Sequence, residues 1–280
     1  MIFKEGTYTG YDGTRMFMAK WIPQSEDPRA LLIAVHGLGS HGGDMRTIGE
    51  FLAERGIAVF APDMRGFGHY SGTKGHVMKY EEYIEDMQNI VMEVKDEFKN
   101  KLTFLHGSSL GGLHVIWYAL TYPRVTDGIV LSCPAVAQSV EVGWGKLFIA
   151  KILSLLNVKR YYTGYVPVED ATRNPDVVER HKKDPLRFEG VTPRFGVEVL
   201  KAVNRALKMG PSILVPILYQ QAGADKLVSP EKSKQFFDSI EFKDKAWILY
   251  DGLYHELHEE PESDRVLTDL YSWLDHRMPT

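Results

Sequence analysis

Cysteine is almost absent from this chain. Cys133 is the only one among 280 residues, so no intramolecular disulfide can form and no Cys-based metal cage exists. Charge of one sign is not in excess either: the formal net charge is −4, with no basic stripe to meet a nucleic acid and no acidic tail. No uncharged apolar run reaches the ~18 residues that a membrane span needs. The opening Met1-Ile2-Phe3-Lys4-Glu5-Gly6 lacks the charged-then-apolar order of a secretory signal. Repeats and low-complexity segments are missing as well. These absences lead to the expectation of a soluble cytoplasmic protein with no nucleic-acid or protein partner implied. The length suits one large α/β domain with room for an insertion.

What is present is an alternation. Strand-like runs occur at Thr14–Trp21, Ala30–Val35, Ile57–Pro62, Leu102–His106, Gly128–Ser132, Ile213–Ala222 and Ala246–Tyr250. Helical patterns lie between and after them, at Thr47–Arg55, Tyr80–Asn100, Gly111–Thr121, Ser229–Ser239 and Pro261–Arg277. Several of the strands are continuously apolar, as strands covered on both faces are. The order predicts an α/β fold with a mostly parallel, doubly wound sheet. Ligands in such sheets bind beyond the carboxyl ends of the strands, which singles out the loops there.

The alternation breaks between Pro134 and Pro211. We expect residues 1–133 and 211–280 to form the core and residues 134–210 a helical cap, or lid, over the strand ends. Asn174-Pro175 and Thr192-Pro193 each read as an N-cap followed by proline in the first helical turn, and the second of these helices should stop near Gly210-Pro211. The first cap helix, Trp144 to about Asn157, is apolar over most of its surface. Trp144, Leu147, Phe148, Ile152, Leu155 and Leu156 form a stripe that Ile149 and Leu153 widen. Such a helix is either buried or meets something oily.

Gly107-Ser108-Ser109-Leu110-Gly111 sits between a strand pattern and a helix pattern. A serine between two glycines at such a turn can occupy a sharp bend with its hydroxyl raised above the sheet. Only Ser109 has glycine on both sides at that spacing. A serine hydroxyl needs a base, itself oriented by a third group. His255 follows the strand Ala246–Tyr250, and Asp225 follows the strand Ile213–Ala222, in the chain order Ser…Asp…His that accompanies this turn. Asp127 would lie at the wrong end of the sheet, Asp251 too close in sequence to His255, and Asp244 in a charged surface turn. The backbone N–H groups of Leu110 and of Leu38, in His36-Gly37-Leu38-Gly39, are the expected oxyanion donors.

Metal chemistry is not expected. His255-Glu256-Leu257-His258 brings its second histidine one residue too early for a zinc signature, and His36 and His41 have no cysteine nearby. His106 and His114 should be satisfied structural residues, and Cys133 a small buried one.

With these residues in place the chain resembles the α/β-hydrolase fold and, within it, the monoacylglycerol lipase and lysophospholipase-like group, over nearly its whole length. His36-Gly37-Leu38-Gly39 is similar to that group's oxyanion loop, and Asp63-Met64-Arg65-Gly66-Phe67-Gly68 to its turn after the fourth strand. Lys183-Asp184-Pro185-Leu186 is similar to a short cap motif, Gly223-Ala224-Asp225-Lys226 to the acid loop. Tyr250-Asp251-Gly252-Leu253-Tyr254-His255-Glu256-Leu257-His258-Glu259-Glu260 resembles the histidine loop. Ser108 stands where the group usually has histidine. Ser40 and Asp44 stand where relatives that grip glycerol often have Glu and Arg. The resemblance implies a Ser109–Asp225–His255 triad with Leu38 and Leu110 at the oxyanion, acting without cofactor or metal on a lipid ester.

The resulting expectation is a serine carboxylester hydrolase cleaving monoacylglycerols or similar single-chain esters. Leu147, Phe148 and Ile152 are expected to line an acyl tunnel, while the rest of that helix touches membrane or lipid surfaces peripherally. A lysophospholipase, a peptidase or a general esterase with the same triad is the rival among enzymes. A non-catalytic binding protein of the same fold is the rival outside them.

Overall fold

The computed structural model describes residues 1–136, 144–163 and 167–279; the side chains of Trp144 and Lys146 lie outside that description. Among the described residues one sheet organises the chain. Its strands are β1 (Ile2–Thr9), β2 (Arg15–Ile22), β3 (Ala30–Val35), β4 (Ile57–Pro62), β5 (Leu102–Ser108), β6 (Gly128–Ser132), β7 (Ile217–Ala222) and β8 (Lys245–Tyr250). The spatial order is β1-β2-β4-β3-β5-β6-β7-β8, with β1 and β2 antiparallel and β3 to β8 parallel. This is the mostly parallel α/β-hydrolase sheet that was expected.

Helices cover both faces. They are α1 (Arg46–Ala53), α2 (Glu81–Glu97), α3 (Leu110–Thr121), α4 (Trp144–Leu155), α5 (Val168–Ala171), α6 (Pro175–Lys183), α7 (Pro193–Ala206), α8 (Pro230–Ser239) and α9 (Ser263–Asp275). The period-2 alternation of β3 divides its side chains between two cores. Leu31, Ile33 and Val35 belong to a core that also contains Met87 and Ile90 of α2, Leu113 and Ile116 of α3, Phe195 of α7 and Phe236 of α8. Ala30, Leu32 and Ala34 belong to the core on the other face, which contains Ile48, Leu52, Leu270 and Leu274 of α1 and α9.

The stretch between β6 and β7 holds α4 to α7. Asn174 Oδ1 accepts the Asp176 N–H, and Thr192 Oγ1 accepts the Phe195 N–H, so both N-caps form where the sequence placed them. α7 stops sooner than expected, at Ala206, and a short 3-10 turn at Gly210–Ser212 leads toward β7. β7 also begins later than the expected Ile213, because Pro216 has no N–H to give the ladder. β1 escaped the sequence reading. It is an edge strand with one fully buried side chain, Tyr8, and so carries no alternating apolar signal.

The motif after β4 is a scaffold for the loops above the sheet. Asp63, buried, accepts N–H groups from Gly42 (2.7 Å) and His69 (2.6 Å). Arg65 forks onto Asp86 at 2.8 and 2.9 Å and onto Asp12 at 2.8 and 3.0 Å, with Asp86 fully buried. Replacing Asp86 by Ala leaves this guanidinium short of a buried partner, so unfolding in urea should show a loss of about 3–5 kcal/mol. A loss below about 1 kcal/mol would mean that the pair is no stronger than a surface one.

Candidate active site

β5 runs straight into Ser109, and α3 starts at the next residue. Ser109 has φ 53° and ψ −117°, a conformation that side chains rarely adopt. The surrounding backbone imposes it. The Ser109 N–H donates to Ser132 O (3.0 Å), and its carbonyl accepts the N–H of Ala135 (2.8 Å) and of Leu113 (3.3 Å). A Cβ on Gly111 would run into the carbonyl oxygens of Val35 and His36, and one on Gly107 into the backbone of Gly111. The glycines are therefore needed for close approach, as the turn pattern implied. Ser108, the other serine, is buried as the last residue of β5 and pairs with Ser132.

The loop after β3 lies against this turn. A Cβ on Gly37 would stand 3.2 Å from Ser109 Cβ and 3.9 Å from its Oγ, so the backbone leading into Leu38 passes beside the hydroxyl. His36 fixes that loop. Its Nε2 accepts the Met64 N–H (2.9 Å), which leaves Nδ1 to donate to Gly37 O (2.8 Å), and burial lowers its pKa and keeps it neutral. Leu110, as the first residue of α3, has an N–H that the helix cannot pair.

Asp225 and His255 follow β7 and β8, beyond the carboxyl ends of the strands. His255 Nδ1 lies 2.8 Å from Asp225 Oδ2, both side chains being buried. The other carboxylate oxygen accepts the N–H groups of Leu227 and Val228, each at 2.9 Å, and Gln221 Nε2 approaches Oδ2 at 3.3 Å. Burial alone would raise the Asp225 pKa, but His255 and these donors hold it below the ordinary carboxylate value. Burial alone would lower the imidazole pKa, and the Asp225 charge outweighs it, so His255 titrates above its ordinary value. The competing carboxylates are engaged elsewhere or face solvent: Asp127 accepts the Thr103 N–H (2.7 Å), Asp244 pairs with Arg277, and Asp251 is exposed.

The histidine loop is pinned from below. Glu260, buried, accepts the N–H of Tyr254 (2.9 Å) and of Arg173 (2.6 Å), the Arg173 Nε (2.6 Å) and the Thr172 hydroxyl (2.9 Å). His114 bonds to the Tyr80 hydroxyl (2.8 Å) and stacks on Tyr83, as expected of a structural residue. His106 departs from expectation, since its buried Nδ1 has no hydrogen-bond partner among the described residues. Burial pushes both pKa values down to about 3 and leaves the rings neutral.

Among the described residues, two groups have donor atoms close enough for a cation: Cys133, Asp225 and His255, and His41, Asp44 and Asp184. In the first, the carboxylate is committed to the imidazole and burial raises the thiol pKa, so it stays protonated. In the second, Asp44 already receives the Arg187 guanidinium at 2.5 Å. Sequence reading passed over Arg187, which directly follows the cap motif Lys183-Asp184-Pro185-Leu186. Its role is visible only in three dimensions.

Of the three α4 residues expected to line an acyl tunnel, Phe148 and Ile152 need correction. Phe148 and Ile152 are 62% and 44% exposed, and Leu147 is half-buried. Leu155 and Leu156, on the same stripe, are 80% and 68% exposed. α4 packs on α7 through its other side, where Ser154 is buried and Ala150 and Leu153 half-buried, so Phe148, Ile149, Ile152, Leu155 and Leu156 face outward.

Comparison with known proteins bears on this arrangement. The family model for serine aminopeptidase S33 matches residues 26–262. The chain belongs to this hydrolase family. Among its relatives, the monoacylglycerol lipase of Mycolicibacterium smegmatis is 29% identical over 276 residues, 96% of each chain. Phospholipase YtpA of Bacillus subtilis is 30% identical, covering 91% of this chain and 98% of its own. The crystal structure of Paleococcus ferrophilus monoacylglycerol lipase superposes with a TM-score of 0.83 at 30% identity, covering 99% of this chain and all of that one. Among the described residues no helix is long and apolar enough to cross a membrane.

The pairing of His255 with Asp225 makes a measurable prediction. Followed by NMR, the wild-type imidazole should titrate above the ordinary value of about 6.5. In Asp225→Asn, burial should prevail and carry it below that value. A wild-type ring titrating below about 6.5, or an unchanged ring in the variant, would contradict the assignment.

Proposed function

We propose that this protein hydrolyses monoacylglycerols and similar single-chain lipid esters through an acyl-enzyme on Ser109. The observation that carries this reading is the buried 2.8 Å pairing of His255 Nδ1 with Asp225, taken together with the strained Ser109 turn at the end of β5. The relatives named for lipid ester hydrolysis support the substrate class. His255 Nε2, the ring nitrogen that Asp225 leaves free, takes the Ser109 proton as Oγ attacks the ester carbonyl. The Leu38 and Leu110 N–H groups stabilise the oxyanion, an effect worth about 10²–10³ in rate for each such donor. The tetrahedral carbon then expels the alcohol, which leaves with the proton from His255. Water, deprotonated by the same nitrogen, adds to the acyl-enzyme, and collapse returns the proton to Ser109 Oγ and releases the fatty acid.

Residues 134–210 serve as a cap over a core of residues 1–133 and 211–280. Three backbone contacts support that division: Phe188 N–H to Gly39 O (3.0 Å), Thr192 N–H to Gly75 O (2.9 Å) and Glu256 N–H to Ala171 O (2.7 Å). The outward stripe of α4, with Lys151, Lys159 and Arg160 exposed around it, suits peripheral contact with an anionic lipid surface. The lone, buried Cys133 fits a cytoplasmic setting.

A second reading, phospholipid rather than monoacylglycerol cleavage, is favoured by the Bacillus relative and by Ser40 and Asp44 in the oxyanion loop. Turnover of purified protein on monoacylglycerols, lysophospholipids and p-nitrophenyl esters separates the two. Ser109→Ala should lose all three activities and its labelling by a serine-reactive phosphonate, and retention of more than ~1% of wild-type turnover would remove Ser109 from this role. The acid limb of kcat/KM should lie above about pH 6.5, because the raised His255 pKa keeps the base protonated to higher pH. Phe148→Ser with Ile152→Ser and Leu155→Ser should slow hydrolysis of vesicle-borne substrate severalfold and leave p-nitrophenyl acetate turnover unchanged. Equal losses on both would show that the stripe supports the fold instead.

A further inference from the structure

Three loops distant in sequence meet in one group of charges above the strand ends. Asp44, buried on the oxyanion loop, accepts the Ser40 hydroxyl at 2.6 Å and Arg187 Nη1 at 2.5 Å. Arg187 Nη2 lies 3.6 Å from Glu256 Oε1, and Glu256 is the residue after His255. Beside this bridge, His41 Nε2 pairs with Asp184 Oδ2 at 3.0 Å, and the Phe188 N–H donates to the carbonyl of Gly39, the residue after Leu38. One guanidinium thus stands between the loop that carries Leu38 and the loop that carries His255.

We propose that Arg187 is a positioning residue, a strut that sets the spacing between the oxyanion loop and the histidine loop through Asp44 and Glu256. The planar fork suits the task, since two N–H directions can serve two carboxylates at once, whereas a lysine ammonium acts as a single point charge. Burial would raise the Asp44 pKa, but Arg187 and His41 hold it down to about 2, so the carboxylate stays ionised. Without the guanidinium, only the His181 ring remains between the like charges of Asp44 and Glu256, 3.9 Å from Asp44 Oδ1 and 3.6 Å from Glu256 Oε2, and the two loops lose their forked anchor. The inference rests on the ester-hydrolase reading of Ser109.

The experiment measures kcat and KM for p-nitrophenyl butyrate, which carries no glycerol, in wild type, Arg187→Gln, Arg187→Lys and the double variant Asp44→Asn with Arg187→Gln. The double variant leaves Asp44 with no unpaired charge and so guards against a folding failure in the single one. Arg187→Gln should lower kcat about 10- to 100-fold, the scale of a misplaced reacting group, while KM changes by less than about twofold. Arg187→Lys should recover part of that loss, and the double variant should be no slower than Arg187→Gln. An unchanged kcat in a folded Arg187→Gln or in the double variant overturns the proposal. So does a loss seen with monoacylglycerol alone, since Arg187 would then be touching the head group. A wild type inert toward the ester overturns the underlying hydrolase reading, a result distinct from an active wild type whose variants keep full kcat.

Discussion

The site depends on a backbone conformation that serine does not adopt by preference. At φ 53° and ψ −117°, Ser109 sits where strain costs on the order of 1–3 kcal/mol, and surrounding structure must over-determine it. It does so from three sides. β6 supplies Ser132 O to the N–H, the segment after β6 supplies the Ala135 N–H to the carbonyl, and the carbonyls of Val35, the last residue of β3, and of His36 after it crowd Gly111. Each contact needs a strand at its place in the sheet. The parallel order of β3, β5 and β6 is thus a condition of the chemistry as much as of the fold.

Around that turn the loops are held by buried acceptors rather than by apolar packing. Asp63 collects the N–H groups of Gly42 and His69, Asp225 those of Leu227 and Val228, and Glu260 those of Tyr254 and Arg173. A loop has no ladder to satisfy its backbone, so a buried carboxylate that accepts several N–H groups does what a neighbouring strand does elsewhere. These anchors leave little freedom in the loops they hold. Among the described residues, the exposed apolar side chains of α4 have no such anchor.

Much of this was legible in the sequence. The continuous apolar runs of β3, β4 and β6 were bounded to the residue, because strands buried on both faces leave no ambiguity of face. The glycine spacing at 107 and 111 and the loops ending in Asp225 and His255 were legible because backbone crowding and strand-end placement are local properties. β1 was not, since an exposed edge needs no alternation. The face that α4 turns outward was not, since an apolar helix reads alike whether it is buried or bare. Arg187 was beyond reach for a third reason. Its partners lie 143 and 69 residues away along the chain, and nothing local marks an arginine as paired.

Trapping the acyl-enzyme tests the central claim most directly. Protein mixed with p-nitrophenyl dodecanoate, quenched in acid within the first turnover and digested, is read by peptide mass spectrometry. A dodecanoyl ester on Ser109, formed together with a burst of p-nitrophenol, is the predicted result. Turnover with the acyl group on Ser108 or Cys133, or with no covalent adduct on any residue, would contradict the account.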